Sequence, residues 1–208
     1  MKKNLSIVIL AIAGAAQAAT VQNNSFEAPV FGPTGWTYIG GSAFSWTFGS
    51  AGIASQNSPW FVATPPDGNQ AGFIQMGGFI SQDILDFNPA DLYTMTFYVV
   101  RRVGYGLNPI GVTLTDDSNS SVMNLGTATP SSGSFFDVFT SLSFEPTNSG
   151  MTLTFTGLDA SGDNDTALDL VSFTDLGQPS SVPEPATLAL IGSALIAVGV
   201  ARYRRRPR

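Results

Sequence analysis

The chain has 208 residues, which is enough for one domain of ordinary size, and it contains no cysteine and no histidine. Disulfides, thiolate ligands and both the Ser-His-Asp and Cys-His catalytic arrangements are therefore excluded. All 15 acidic residues fall between Glu27 and Glu184, where Arg101 and Arg102 are the only cations. This acidic excess predicts that the chain binds no nucleic acid, because the phosphate backbone would be repelled.

The first 18 residues have the pattern of a signal peptide. Lys2 and Lys3 precede an apolar run over residues 5–16, and Ala16-Gln17-Ala18 is a small-x-small cleavage site. We predict a signal helix that directs export through the Sec pathway and is cleaved after Ala18. An uncleaved anchor is the alternative, although the apolar run is short for spanning a membrane.

Residues 19–176 show the pattern of an all-β domain. Short alternating runs lie between turn residues, and no long 3.6-residue apolar period is present. Residues 92–100 place Met95, Phe97 and Val99 on one face, and residues 151–156 place Met151 and Phe155 inward with threonines outward. Further strands are predicted at 72–84, 110–115, 135–144 and 168–175. The pattern predicts an all-β sandwich over residues 19–176.

The C-terminal part of the chain reads as a membrane anchor. A linker over residues 177–185 holds two prolines, which break regular structure, and an uncharged apolar run follows from residue 186 to 201. We predict a transmembrane helix over 186–203 and a basic cytoplasmic tail over 204–208, since positive residues stay inside. The arginines that set this topology are Arg202, Arg204, Arg205, Arg206 and Arg208.

This end of the chain resembles the PEP-CTERM sorting signal of Gram-negative bacteria that make extracellular polysaccharide. Its motif residues are Pro183, Glu184 and Pro185, followed by the apolar run and the basic tail. The resemblance implies that an exosortase, a membrane processing enzyme, is a partner. It also implies that the body is first periplasmic on an inner-membrane anchor and then reaches the cell surface or the medium.

The body resembles galactose-binding-like jelly rolls, which include many carbohydrate-binding modules. Asn24-Ser25-Phe26-Glu27, followed by Gly35-Trp36, is similar to their opening, and residues 166–173 are similar to their closing strand. In the calcium-binding members, a carboxylate after the opening strand and one on the closing strand hold a structural Ca²⁺. The resemblance therefore implies Glu27 and Asp169 as calcium ligands, with backbone carbonyls completing the site. The alternatives are ordinary strand-end carboxylates, or a pair between Glu27 and Arg101.

Three aromatic residues are the candidates for binding polysaccharide. Sugar rings stack on flat aromatic rings, and neighbouring polar side chains bond the hydroxyls. Trp46 and Trp60 lie in a Gly/Ser/Pro-rich stretch that is typical of an exposed loop, and Tyr105 lies between Gly104 and Gly106. Trp36 fits a core position better. The alternative for each ring is core packing. For Arg101 and Arg102, a structural ion pair with acidic neighbours is favoured over a ligand clamp.

The sequence favours a non-enzymatic surface or matrix protein that binds extracellular polysaccharide. No nucleophile elbow, phosphate loop or zinc signature is present. A hydrolase acting on extracellular polysaccharide is the competing function, since paired carboxylates for glycoside hydrolysis can come from distant positions. A purely structural role at the cell surface is the third possible function.

Overall fold

The computed structural model describes residues 19–179, which form nine β-strands. The strands are β1 (Trp36–Ala43), β2 (Trp46–Ser55), β3 (Gln70–Ile84), β4 (Leu92–Arg101), β5 (Ile110–Asp116), β6 (Val122–Ala128), β7 (Asp137–Thr140), β8 (Met151–Gly157) and β9 (Asp165–Gly177). The predicted signal helix, the cleavage site after Ala18, the Pro-Glu-Pro motif, the transmembrane helix and the arginine tail lie outside these residues. Between residues 19 and 179, no helix is long and apolar enough to span a membrane.

All strand pairs are antiparallel, and the sheet folds into two layers because β3 changes partners along its length. Residues 72–75 of β3 pair with β9, whereas residues 79–84 pair with β8. The change occurs around Met76, which has a φ of 51°, and Gly78, where an added Cβ would lie 2.5 Å from a carbonyl oxygen. A side chain at residue 78 would therefore clash with the backbone.

We call the layer that contains β4, β7, β9 and the first half of β3 the front layer, and the layer that contains β5, β6, β8 and the second half of β3 the back layer. The main core lies between them. Phe97 of β4 meets Phe155 of β8 with ring centroids 4.9 Å apart. The residues predicted to point inward on β4 and β8 are all buried. The β-sandwich predicted from alternation and the jelly roll implied by the resemblance are both confirmed.

The region before β3 is more regular than the sequence predicted. Residues 36–55 form a hairpin of two strands, and Trp46 opens β2 instead of lying in a loop. Glycine and serine occupy many positions of these strands, so the sequence shows no clear alternation of apolar and polar residues there. Trp36, expected in the core, lies on the outer side of β1 and is 43% exposed.

A second, smaller apolar cluster covers part of the front layer on its outer side. Small residues on neighbouring strands (Ala54, Ala71, Val100 and Ala167) surround Phe73. Trp60 and Phe61, from the segment between β2 and β3, close over them. The front layer is therefore buried on both sides here, and the segment over residues 56–69 is held against it by apolar contact.

Candidate functional site

A row of stacked side chains lies on the outer side of the front layer. The ring of Trp60 stacks on Phe73 with centroids 4.0 Å apart and an interplanar angle of 9°. The guanidinium carbon of Arg102 lies 4.8 Å from the centroid of Trp60 and 3.8 Å from that of Tyr105. Since Phe73 takes one face of Trp60, the guanidinium takes the other, and Tyr105 ends the row. Cation–π attraction favours this arrangement.

Two more rings extend the row towards the edge of the sheet. Trp36 and Tyr38 project from the same side of β1, and the centroid of each lies 5.3 Å from that of Trp60, edge to face. Each is 43% exposed, and Tyr105 is 38% exposed. We call the surface formed by Trp36, Tyr38, Trp60, Arg102 and Tyr105 the aromatic face. It presents three accessible rings to solvent.

A chain of polar side chains runs along the aromatic face. The hydroxyl of Tyr38 donates to the side-chain carbonyl of Gln75, and the amide nitrogen of Gln75 donates to Asp163. Arg102 Nη1 lies 3.3 Å from Asp163 Oδ2 and 3.1 Å from Asp165 Oδ2. The ion pair that the sequence favoured is therefore formed by Arg102. Asp163 is half exposed, whereas Asp165 is almost completely buried.

The polar groups beneath the aromatic face are not all satisfied. Asp165 Oδ1, Arg102 Nε and Trp60 Nε1 are buried and have no hydrogen-bond partner. Burial raises the pKa of Asp165 to about 7, although the hydrogen bond and the charge of Arg102 oppose this shift. The pKa of the Tyr38 hydroxyl is raised by burial and by the nearby charges of Asp165 and Asp163. The Asp163–Arg102–Asp165 group therefore has no net positive charge.

Of the three aromatic residues predicted to bind a ligand, Trp46 lies in the core, whereas Trp60 and Tyr105 lie at the aromatic face. Trp46 is only 1% exposed; its ring stacks on Phe26 with centroids 5.1 Å apart, and its Nε1 donates to the Asn23 carbonyl at 3.1 Å. No face of that ring is open, so its predicted exposure is wrong. Trp60 and Tyr105 do come together, through Arg102, but Trp60 is mostly covered. Trp36 and Tyr38 are the exposed rings that the prediction left out, and their spacing, i and i+2 on one strand, is the signal that could have found them.

The two carboxylates predicted to bind calcium contact the same turn. Glu27 Oε1 accepts hydrogen bonds from the backbone N–H of Asn69 at 2.8 Å and of Gln70 at 2.7 Å. Asp169 Oδ2 accepts one from the backbone N–H of Asp67 at 3.2 Å. Within residues 19–179, Glu27 forms no ion pair with Arg101. Both carboxylates therefore hold the turn over residues 67–70.

Asp169 is the more unusual of the two. Its side chain is fully buried, and its Oδ1 has no hydrogen-bond partner. Burial raises its pKa to about 8, although hydrogen bonds from the backbone of Asp67 and Leu170 oppose this shift; the charges of Asp67 and Glu27 add to the rise. Among the described residues, no three acidic side chains are gathered closely enough to hold a metal ion alone. A proton or a cation that also takes backbone oxygens would neutralise Asp169.

The C-terminal part of the chain matches a known sorting signal. Residues 181–206 match the PEP-CTERM protein-sorting motif, which confirms the signal expected at Pro183, Glu184 and Pro185. No curated protein matches this chain in sequence.

Solved structures share the fold of the body. A Stig cyclase, Fisc, from Fischerella sp. TAU is similar with a TM-score of 0.62 and 13% identity, over 78% of this chain and 99% of that chain. TmCBM61, solved with β-1,4-galactotriose, is similar with a TM-score of 0.54 and 12% identity, over 76% of this chain and 99% of that chain. The CBM22-1 xylan-binding domain of Xyn10C from Paenibacillus barcinonensis is similar with a TM-score of 0.52 and 13% identity, over 79% of this chain and 100% of that chain. At these identities the similarity shows the fold alone, which serves both binding modules and enzymes.

The buried Asp169 predicts that stability depends on pH. Its pKa is 3.8 when free and about 8 in the folded protein, so the folded state keeps a proton that the unfolded chain has lost between these values. With divalent ions chelated, the free energy of unfolding should therefore fall as pH rises from about 4 to about 8. Asp169→Asn should make this fall smaller, measured by urea denaturation across the range. Asp86→Asn, at an exposed carboxylate, is the control and should keep the wild-type slope. An unchanged slope in Asp169→Asn would contradict the assignment.

Proposed function

We propose that this chain is an exported, non-enzymatic surface or matrix protein whose β-sandwich binds extracellular polysaccharide. The sorting motif at residues 181–206 supports an envelope destination. The shared fold with carbohydrate-binding modules supports a binding role for the body. The observation that carries the proposal is the aromatic face, where the exposed rings of Trp36, Tyr38 and Tyr105 adjoin polar side chains.

The chemistry of the aromatic face favours binding over catalysis. The carboxylates nearest the rings, Asp163 and Asp165, are both bonded to Arg102. Glycoside hydrolysis needs one carboxyl group as a proton donor and a second that is free to act as a base or nucleophile across the scissile bond. Two carboxylates that share one guanidinium are held as a structural ion pair instead.

The two ends of the chain supply the route to the surface. The signal peptide would be removed after Ala18, leaving the body in the periplasm. The C-terminal apolar run would hold the chain in the inner membrane, with the arginine tail in the cytoplasm. An exosortase would then recognise Pro183, Glu184 and Pro185 and pass the protein outward.

We also propose that a structural Ca²⁺ binds at Glu27 and Asp169. The unpartnered, buried Oδ1 of Asp169 is the oxygen that a cation would satisfy, and Glu27 contacts the same turn. Calcium takes six to eight oxygen ligands, so backbone carbonyls near the turn would provide the others. The ion would neutralise Asp169 and fix the turn over residues 67–70.

The sorting role predicts the fate of a motif variant. In a host that carries an exosortase, replacing Pro183, Glu184 and Pro185 by alanine should leave the protein in the inner-membrane fraction, while the wild type reaches the outer surface or the medium. The matched control replaces the preceding Gln178, Pro179 and Ser180 by alanine and should be sorted normally. Wild-type protein found in the cytosol with residues 1–18 intact would contradict export.

The binding role predicts a loss of affinity when exposed rings are removed. Trp36→Ala and Tyr38→Ala should each weaken binding of galactan or xylan by about 30-fold, since a ring at the centre of an interface contributes about 2 kcal/mol. Isothermal titration calorimetry of the full-length chain in detergent measures this. The control is Phe79→Ala, an aromatic residue that is 37% exposed on the back-layer half of β3. Equal losses in all three variants would contradict the assignment of the face.

The calcium site predicts a stabilisation that depends on two side chains. At a calcium concentration 100 times its dissociation constant, the free energy of unfolding should rise by about 2.7 kcal/mol. Asp169→Asn and Glu27→Gln should abolish the rise, whereas Asp86→Asn should keep it. Thermal unfolding with calcium and with chelator measures the difference. An equal gain in Asp169→Asn would place the ion elsewhere.

A further inference from the structure

We infer that the aromatic face selects a neutral polysaccharide and rejects acidic ones, such as uronate polymers. This inference rests on the proposed binding function and names the class of ligand. It follows from how the only cation on the face is used, from the charge of its neighbours and from the hydrogen-bonding capacity that remains.

The side chain of Arg102 is only 14% exposed, and its charge is used within the protein. Its guanidinium lies between the rings of Trp60 and Tyr105, at 4.8 Å and 3.8 Å from their centroids. Its Nη1 is already shared between Asp163 and Asp165. Recognition of a uronate by arginine needs two parallel N–H groups that face the ligand. Here most of the side chain is buried, including Nε, and its charge is matched by protein carboxylates.

The charged side chains of the aromatic face carry no net positive charge, and the exposed one is acidic. Asp163 is half exposed beside Gln75 and Tyr38, and Asp165 lies just beneath. Alternation along β4 puts Arg101, the other cation of residues 19–179, on the opposite side of the strand from Arg102. A uronate chain would therefore bring like charge to this surface, with no free cation on the face to compensate.

The exposed polar groups suit hydroxyls. Asp163 accepts one hydrogen bond on each oxygen, from Gln75 and from Arg102, and a carboxylate has about four acceptor positions. Each oxygen can therefore accept one more hydrogen bond from the hydroxyls of a sugar. The Tyr38 oxygen, which donates to Gln75, can accept another. These groups adjoin exposed rings, so one ligand can stack and bond at the same time.

The row is also longer than a single ring. Trp36 and Tyr105, its two exposed ends, are separated by Trp60 and Arg102, with successive contacts of 5.3, 4.8 and 3.8 Å. One sugar ring covers one aromatic ring. A ligand that contacts both ends is therefore a chain of sugar units.

The experiment compares neutral and acidic polysaccharides on the full-length chain in detergent. Affinity electrophoresis with galactan, unsubstituted xylan, glucuronoxylan and polygalacturonate is run at low salt and at 1 M salt. We expect binding of the neutral polymers to be at least tenfold tighter than that of polygalacturonate at low salt, with the difference smaller at 1 M salt, because salt screens exposed charges. We expect glucuronoxylan, which adds uronate groups to the xylan backbone, to bind more weakly than xylan at low salt.

A variant tests whether the charge of the aromatic face, and not its shape, excludes acidic polymers. Asp163→Asn removes one negative charge and one partner of Arg102 while keeping the size of the side chain, so binding of polygalacturonate should rise relative to galactan. Asp86→Asn removes the same charge at a distant exposed position and should leave the ratio unchanged. Tighter binding of polygalacturonate than of galactan by the wild type, or a preference that 1 M salt leaves intact, would overturn this inference. Absence of binding to all four polymers would instead overturn the proposed function.

Discussion

The aromatic face depends on a single guanidinium group. Arg102 follows β4, and its side chain contacts Trp60, Tyr105, Asp163 and Asp165, which come from three other parts of the chain. Trp60 is held on Phe73 by stacking, whereas Tyr105 and Asp163 lie in loops and both contact Arg102. The cation satisfies both kinds of partner, since it stacks on rings and bonds to carboxylates. Because Arg102 pairs with two acidic residues, the ion pairs that hold the aromatic face together also leave it without net positive charge.

Alternation was sufficient to predict the sandwich and much of its core. Strands β4 and β8 carry large apolar residues at every second position, so the faces of Phe97 and Phe155 could be assigned without coordinates. β1 and β2 were missed because glycine, serine and alanine occupy many of their positions, and small residues give no strong period. Trp46 was misplaced for the same reason: its neighbours read as loop, while its ring fills the core beside Phe26.

The sites depend on proximity, which local patterns do not encode. The likeness to a jelly-roll family was enough to name Glu27 and Asp169 together, and both accept hydrogen bonds from the backbone of the turn over residues 67–70. Their partner, the backbone of that turn, carries no sequence signal except Gly68, where an added Cβ would lie 2.2 Å from Glu27 Oε1. Arg102 could be predicted to form an ion pair because cations are scarce in this chain. The contacts of Arg102 with Trp60 and Tyr105 could not be predicted, since no sequence pattern relates residues 60, 102 and 105.

The buried carboxylate and the aromatic face are connected through one segment of chain. Residues 56–69 leave β2, place Trp60 against Phe73 and Arg102, and end at the turn that Asp169 and Glu27 hold. When Asp169 carries an uncompensated charge, burial penalises that state. A proton on Asp169 removes this penalty, and the proposed calcium ion would do the same, so the turn at the end of the segment contacts a carboxyl group whose charge has to be neutralised. The same segment supplies the ring of Trp60, on which Trp36, Tyr38 and Arg102 all pack.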